Sequence, residues 1–123
     1  MIRILVVEDD EPLRSLYKYE LEEEGYEVII AEDGKMALKS LDQLSCDLII
    51  LDIQMPGMDG LEVLAKIASR QKKIPIVIHT AYAQRKDEFV SGLVDATLTK
   101  SSDLSILKNT VRELLETYRD RGH

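Results

Sequence analysis

The chain has 123 residues, 45% hydrophobic and 32% charged, a size and composition that suit one globular domain with a sizeable core. Its formal net charge of −7 argues against a nucleic-acid-binding surface and suits cations or basic protein surfaces. A lone cysteine, Cys46, rules out an intrachain disulfide and points to a reducing, cytoplasmic setting, and no apolar stretch reaches the roughly 20 residues of a membrane span.

The first run, "IRILVV" (Ile2–Val7), is short, aliphatic and ends in acid at Glu8 and Asp9. It is too short for a secretion signal and reads as a strand. Asp10 or Glu11 then caps an amphipathic helix with Pro12 near its start. Leu13, Leu16, Tyr17 and Leu21 share one face, and Gly25 is the stop. "EEEG" (Glu22–Gly25) reads as a solvated helix end. "EVIIA" (Glu27–Ala31) is the second strand, and Ala37, Leu38, Leu41 and Leu44 form the next helical stripe. Cys46 reads as a small buried hydrophobe. "DLIIL" (Asp47–Leu51) is the third strand. It ends at Asp52, after which the chain bends through Pro56, Gly57 and Gly60; Met55 and Met58 flank that turn as packing residues. Leu61, Leu64, Ile67 and Ala68 make the third helical stripe. "PIVIHT" (Pro75–Thr80) and "ATLT" (Ala96–Thr99) are the fourth and fifth strands, with a short stripe of Phe89, Val90 and Leu93 between them. His79 reads as a packed strand residue. The last stripe, Leu104, Leu107, Val111, Leu114 and Tyr118, follows a cap at Ser102 or Asp103.

A strand followed by a helix, five times over, predicts an α/β fold: a doubly wound, five-stranded parallel sheet in one domain spanning 1–123. In the strand order 2-1-3-4-5, ligands bind where strands one and three diverge, outside their carboxyl ends. Glu8, Asp9 and Asp52 should therefore meet in one crevice. Clustered carboxylates repel one another, and a hard divalent cation such as Mg²⁺ relieves that repulsion. Asp52 beside such a cation could attack a phosphoryl group and form an aspartyl phosphate. Thr80 and Lys100 close strands four and five at the same edge, where a hydroxyl donor and a counter-charge would serve that product.

These motifs resemble the receiver domain of bacterial two-component response regulators, the chemotaxis-receiver-like family with a flavodoxin-like fold. "ILVVEDDEPLR" is similar to the family's first strand and acidic pair, and "DLIILDIQMPGMDG" to its phosphoacceptor strand and loop. "PIVIHTA" and "TLTK" resemble the strands ending in the switch hydroxyl and before the lysine. The resemblance covers essentially the whole chain. It implies Asp52 as phosphoacceptor, and Asp9 as a direct ligand of Mg²⁺ or Mn²⁺. Glu8 would act mainly through water, and the Gln54 backbone carbonyl would be a further metal contact. Thr80 would hydrogen-bond the phosphoryl group and Lys100 would pair with it. Asp10 falls past the acidic pair and stays a capping residue. The implied donor is a phosphohistidine on a sensor histidine kinase or histidine phosphotransfer protein. The domain would phosphorylate and dephosphorylate itself rather than turn over as an enzyme.

The chain departs from the family pattern near strand five. Thr97 stands where an aromatic often swings inward, and Ser101 follows the lysine where a cis-proline is usual. A cis bond before a non-proline residue costs about 3–4 kcal/mol, so a trans bond is expected. Activation should then reshape the fourth and fifth strands without an aromatic swing. Tyr82, two places after Thr80, would with Gln54 shield Asp52 from water. Two other functions remain open. A phosphatase of the haloacid-dehalogenase type would need a second aspartate two places after the nucleophile, where Gln54 stands. A receiver-like adaptor would have lost an acid, the threonine or the lysine, and none is lost. No effector domain is expected in this chain, so the output would be a downstream protein target or an effector elsewhere. A dimer through the fourth and fifth helices is a further expectation, with no nucleic acid or membrane bound directly.

Overall fold

The computed structural model describes residues 1–53, 60–70, 74–81, 94–101 and 103–121. The helix expected around Phe89, Val90 and Leu93 lies outside them, as do Gln54, Met55, Met58, Tyr82 and Ser102. The chain runs β1 (Arg3–Val7), α1 (Glu11–Glu23), β2 (Glu27–Ala31), α2 (Gly34–Gln43), β3 (Leu48–Leu51), α3 (Gly60–Ala68), β4 (Ile76–Thr80), β5 (Ala96–Thr99) and α4 (Ser105–Arg121). The strands form one parallel sheet, as the alternation of elements predicted, and its order is the β2-β1-β3-β4-β5 expected for this fold.

Successive strand residues point to opposite faces, so each aliphatic run feeds two cores. Leu5, Val7, Ile49, Leu51, Ile76 and Ile78 pack against Ala37 of α2 and Val63, Leu64 and Ile67 of α3. Ile4, Val6, Leu48, Ile50 and Val77 pack on the other face against Tyr17 and Leu21 of α1 and Leu107 and Val111 of α4. Each fully buried aliphatic side chain contributes about 1.5–3 kcal/mol. Cys46 sits among them, buried and reduced.

Local signals fix the element ends. The Asp10 side chain accepts the Leu13 N–H at 2.9 Å and so caps α1, which settles the choice between Asp10 and Glu11. Gly25 has a φ of +94° just past the helix. There its N–H donates to the Glu22 carbonyl, and the Tyr26 N–H donates to that of Leu21, a doubly bonded helix stop. Asp33 caps α2 through the Met36 N–H. Asp103, from just outside α4, accepts from the Ser105 N–H at 2.9 Å. Three expected stripe positions differ. Ala68, the last residue of α3, is exposed, while Val63 is buried. Leu44 lies beyond α2 in extended backbone and is exposed, because the helix ends at Gln43. Leu16 is on the outer side of α1, while Tyr17 takes the inner place.

Gly60 opens α3 where the helix meets the strand that carries Asp52. A Cβ there would stand 2.2 Å from the Ile53 carbonyl oxygen, so only glycine fits. The described residues hold no helix long and apolar enough to cross a membrane.

Candidate functional site

The carboxyl ends of β1 and β3 lie side by side, with Val7 in register with Leu51. The next residues outward are Glu8 and Asp52. Parallel strands in this order thus bring together side chains 44 positions apart. Carboxylate oxygens of Glu8, Asp9 and Asp52 all lie within 4.8 Å of one another. Glu8 and Asp52 are buried and Asp9 is exposed, so the cluster opens to solvent on the Asp9 side. Its backbone is held from several directions. The Glu8 N–H donates to the Ala31 carbonyl at 3.0 Å and the Asp52 N–H to that of Val7 at 3.1 Å. Arg14 Nη1 donates to the carbonyls of Glu8 and Asp9 at 3.1 and 2.8 Å.

Lys100 enters from β5. Its Nζ donates to Asp52 Oδ2 at 2.7 Å and stands 2.8 Å from Glu8 Oε1. Its backbone N–H donates to the Thr80 carbonyl at 2.7 Å, which couples the ends of β4 and β5. Thr80 itself is fully buried at the end of β4. The peptide bond between Lys100 and Ser101 is trans, as expected for a non-proline residue. Thr97 is half-buried on β5, in register with Ile78.

The electrostatics follow from burial and charge. Burial raises the Glu8 carboxyl above its ordinary value; bonds to Lys100 and to the Asp10 N–H pull it back, and the charge of Asp52 adds to the rise. Burial alone would lower Lys100, but its bonds to Asp52 and Glu8 outweigh that and hold it charged. The cluster carries three acids and one ammonium, a net negative site. Its donor set is all oxygen, the chemistry that hard divalent cations prefer.

Two contacts were not legible in the sequence. Arg14 carries no site signal in the sequence, yet it holds both acidic carbonyls. Tyr17 looked purely apolar, yet its hydroxyl is hydrogen-bonded to His79 Nδ1 inside the core. The available signal was chemical: a buried tyrosine hydroxyl needs a partner, and the buried strands offer few polar side chains.

The chain matches the family model for the response regulator receiver domain over residues 4–112. It is 42% identical over 91 residues to the alkaline phosphatase synthesis transcriptional regulatory protein PhoP of Bacillus subtilis, covering 74% of this chain and 38% of PhoP. It spans about half the length, or less, of such curated relatives. Among solved structures it resembles response regulator protein TrrA from Thermotoga maritima in complex with Mg²⁺-BeF. That match has 44% identity and a TM-score of 0.86, and covers 93% of this chain and 99% of TrrA. The complex of TrrA with histidine kinase ThkA matches equally, at 44% identity and a TM-score of 0.85 over 94% of this chain and 99% of the matched one. Fold, carboxylate cluster and likeness agree: this chain belongs to the response regulator receiver domains, the phosphoaccepting switches of two-component signalling.

Proposed function

We propose that Asp52 is the phosphoacceptor and that its carboxylate takes a phosphoryl group from a phosphohistidine on a histidine kinase or phosphotransfer protein. The observation that carries this reading is the Asp52 side chain itself. It is buried at a strand end, within 4.8 Å of two further carboxylates and 2.7 Å from an ammonium. An Asp52 oxygen attacks phosphorus, the P–N bond breaks, and its electron pair leaves on the imidazole. Lys100 releases the carboxylate and pairs with the phosphoryl oxygens, and the Thr80 hydroxyl donates to one of them. Glu8, Asp9 and Asp52, with the Gln54 carbonyl, would hold a divalent cation, Mg²⁺ or Mn²⁺. When bound, the cation neutralises the acids and lets the phosphoryl group approach.

TrrA in its complex with Mg²⁺-BeF, and TrrA bound to a kinase, support the cation and the partner by likeness. The domain is a switch that works through its phosphorylated state rather than through released product. Phosphorylation would reshape the β4–β5 edge for a downstream protein or for an effector domain. With Thr97 at the usual aromatic position, no inward ring swing is involved. Tyr82 and Gln54 would limit water access, so Tyr82→Ala would speed dephosphorylation.

Incubation with acetyl phosphate and Mg²⁺, read by intact mass, tests the proposal. The expected result is one added phosphoryl group in the wild type and none in Asp52→Asn, with both proteins folded. No mass shift would leave an adaptor, and rapid continuous release of phosphate would leave a phosphatase.

A further inference from the structure

Tyr17 of α1 and His79 of β4 meet inside the core, with ring centroids 5.6 Å apart, edge to face. The Tyr17 hydroxyl is hydrogen-bonded to His79 Nδ1, and the two residues are only 1% and 3% exposed. Burial pushes the imidazole down to about 4 and the phenol up. At neutral pH the bond therefore joins a neutral phenol to a neutral imidazole, each able to donate or accept. Neither residue belongs to the carboxylate, hydroxyl and lysine set.

The bond joins two walls of the site. Asp10 caps α1, and Arg14 on the same helix holds the carbonyls of Glu8 and Asp9. Tyr17 follows Arg14 by one turn. On the other side, β4 pairs with the central strand β3 only as far as Leu51 with Ile78. Its pairing with the edge strand β5 runs further, through His79 with Leu98 and Thr80 with Thr99. The last two residues of β4 thus project beyond the central ladder. The Tyr17 bond ties them to the helix that grips the acids.

We propose that Tyr17 and His79 are positioning residues: their hydrogen bond, from α1 to β4, sets where the Thr80 hydroxyl stands relative to Asp52 and the Glu8–Asp9 turn. This rests on the reading of Thr80 as a phosphoryl-binding donor. Neither residue touches the phosphoryl group. A donor lowers a barrier only if it is aimed at the place where charge develops, and a small misplacement loses rate.

The test measures the saturating rate of Asp52 phosphorylation and the half-saturating acetyl phosphate concentration, at fixed Mg²⁺. Tyr17→Phe and His79→Leu should each lower the saturating rate by about tenfold with half-saturation unchanged. His79→Asn, whose amide can donate or accept where Nδ1 stands, should restore most of the rate. In a Thr80→Ala background, Tyr17→Phe should cost nothing further, because no hydroxyl remains to be positioned. A wild-type rate in Tyr17→Phe, or a loss that simply adds to that of Thr80→Ala, overturns the proposal. If the wild type is phosphorylated and Tyr17→Phe matches it, the positioning role alone falls. If the wild type takes up no phosphoryl group, the reading beneath it falls and the proposal with it.

Discussion

Lys100 is the residue through which the two buried acids communicate. Its ammonium bonds Asp52 and stands against Glu8, so charge at one carboxylate is felt at the other. Lys100→Met should slow phosphorylation from acetyl phosphate by about a hundredfold, the scale of losing one transition-state donor. Intact-mass time courses read the change. His79 sets a pH dependence of stability. Its ordinary value of 6.5 falls to about 4 in the folded protein, so the folded state prefers the neutral ring. The associated stability is complete above pH 6.5 and is lost as pH falls from 6.5 toward 4, a drop of about 3 kcal/mol. Glu8, with its carboxyl raised, acts with the opposite sign. Urea unfolding of wild type and His79→Leu at matched pH isolates the His79 part, and the variant should lack that decline. At this scale the acids were legible, because strand ends and strand order put them together. The Tyr17–His79 bond was not. Each residue alone fits a core stripe, and their pairing across 62 positions is set by how α1 lies on the sheet.

The elements show how short signals become site geometry. α1 starts at a capping aspartate and stops at a glycine of positive φ. Gly25→Ala should cost about 1 kcal/mol in urea unfolding, the penalty of a Cβ in left-handed backbone, with phosphorylation unchanged. Gly60→Ala is a different case. Its Cβ would meet the Ile53 backbone, next to Asp52, with no flexible side chain to yield. Overpacking of this kind costs about 1–3 kcal/mol, and here it should also slow phosphorylation, which acetyl phosphate kinetics would register. Element types and most boundaries were legible from periodicity and caps. The exceptions were decided by tertiary contact. Leu44 fits the helical spacing, but the backbone leaves the helix one residue earlier to reach β3. Leu16 lies on the outer side of α1, while its neighbour Tyr17 is buried and bonds His79.

At the level of the whole molecule, two cores cover opposite faces of one sheet, and the described carboxylate cluster sits at its carboxyl edge. α1 and α4 are further joined by ion pairs, Lys108 with Glu20 and Arg112 with Glu24 at 2.9 Å. The edge concentrates negative charge, so a divalent cation should stabilise the fold by mass action. At a hundredfold excess over Kd the gain is about 2.7 kcal/mol. Thermal unfolding should shift upward with added Mg²⁺ in the wild type and stay flat in Asp9→Asn. The parallel, doubly wound sheet was legible as a whole because alternating strands and helices with right-handed crossovers leave few topologies.

The bridging position of Lys100 has a consequence for affinity. A tethered ammonium already partly neutralises the acids. An arriving ion therefore exchanges one counter-charge for another, and its binding strength is the difference between two compensated states. Cutting the tether removes the competitor. Lys100→Met should hold Mg²⁺ more tightly than the wild type even as it takes up phosphoryl more slowly. The lysine would thus act as an internal buffer of charge, keeping the pocket loaded lightly enough to be reset.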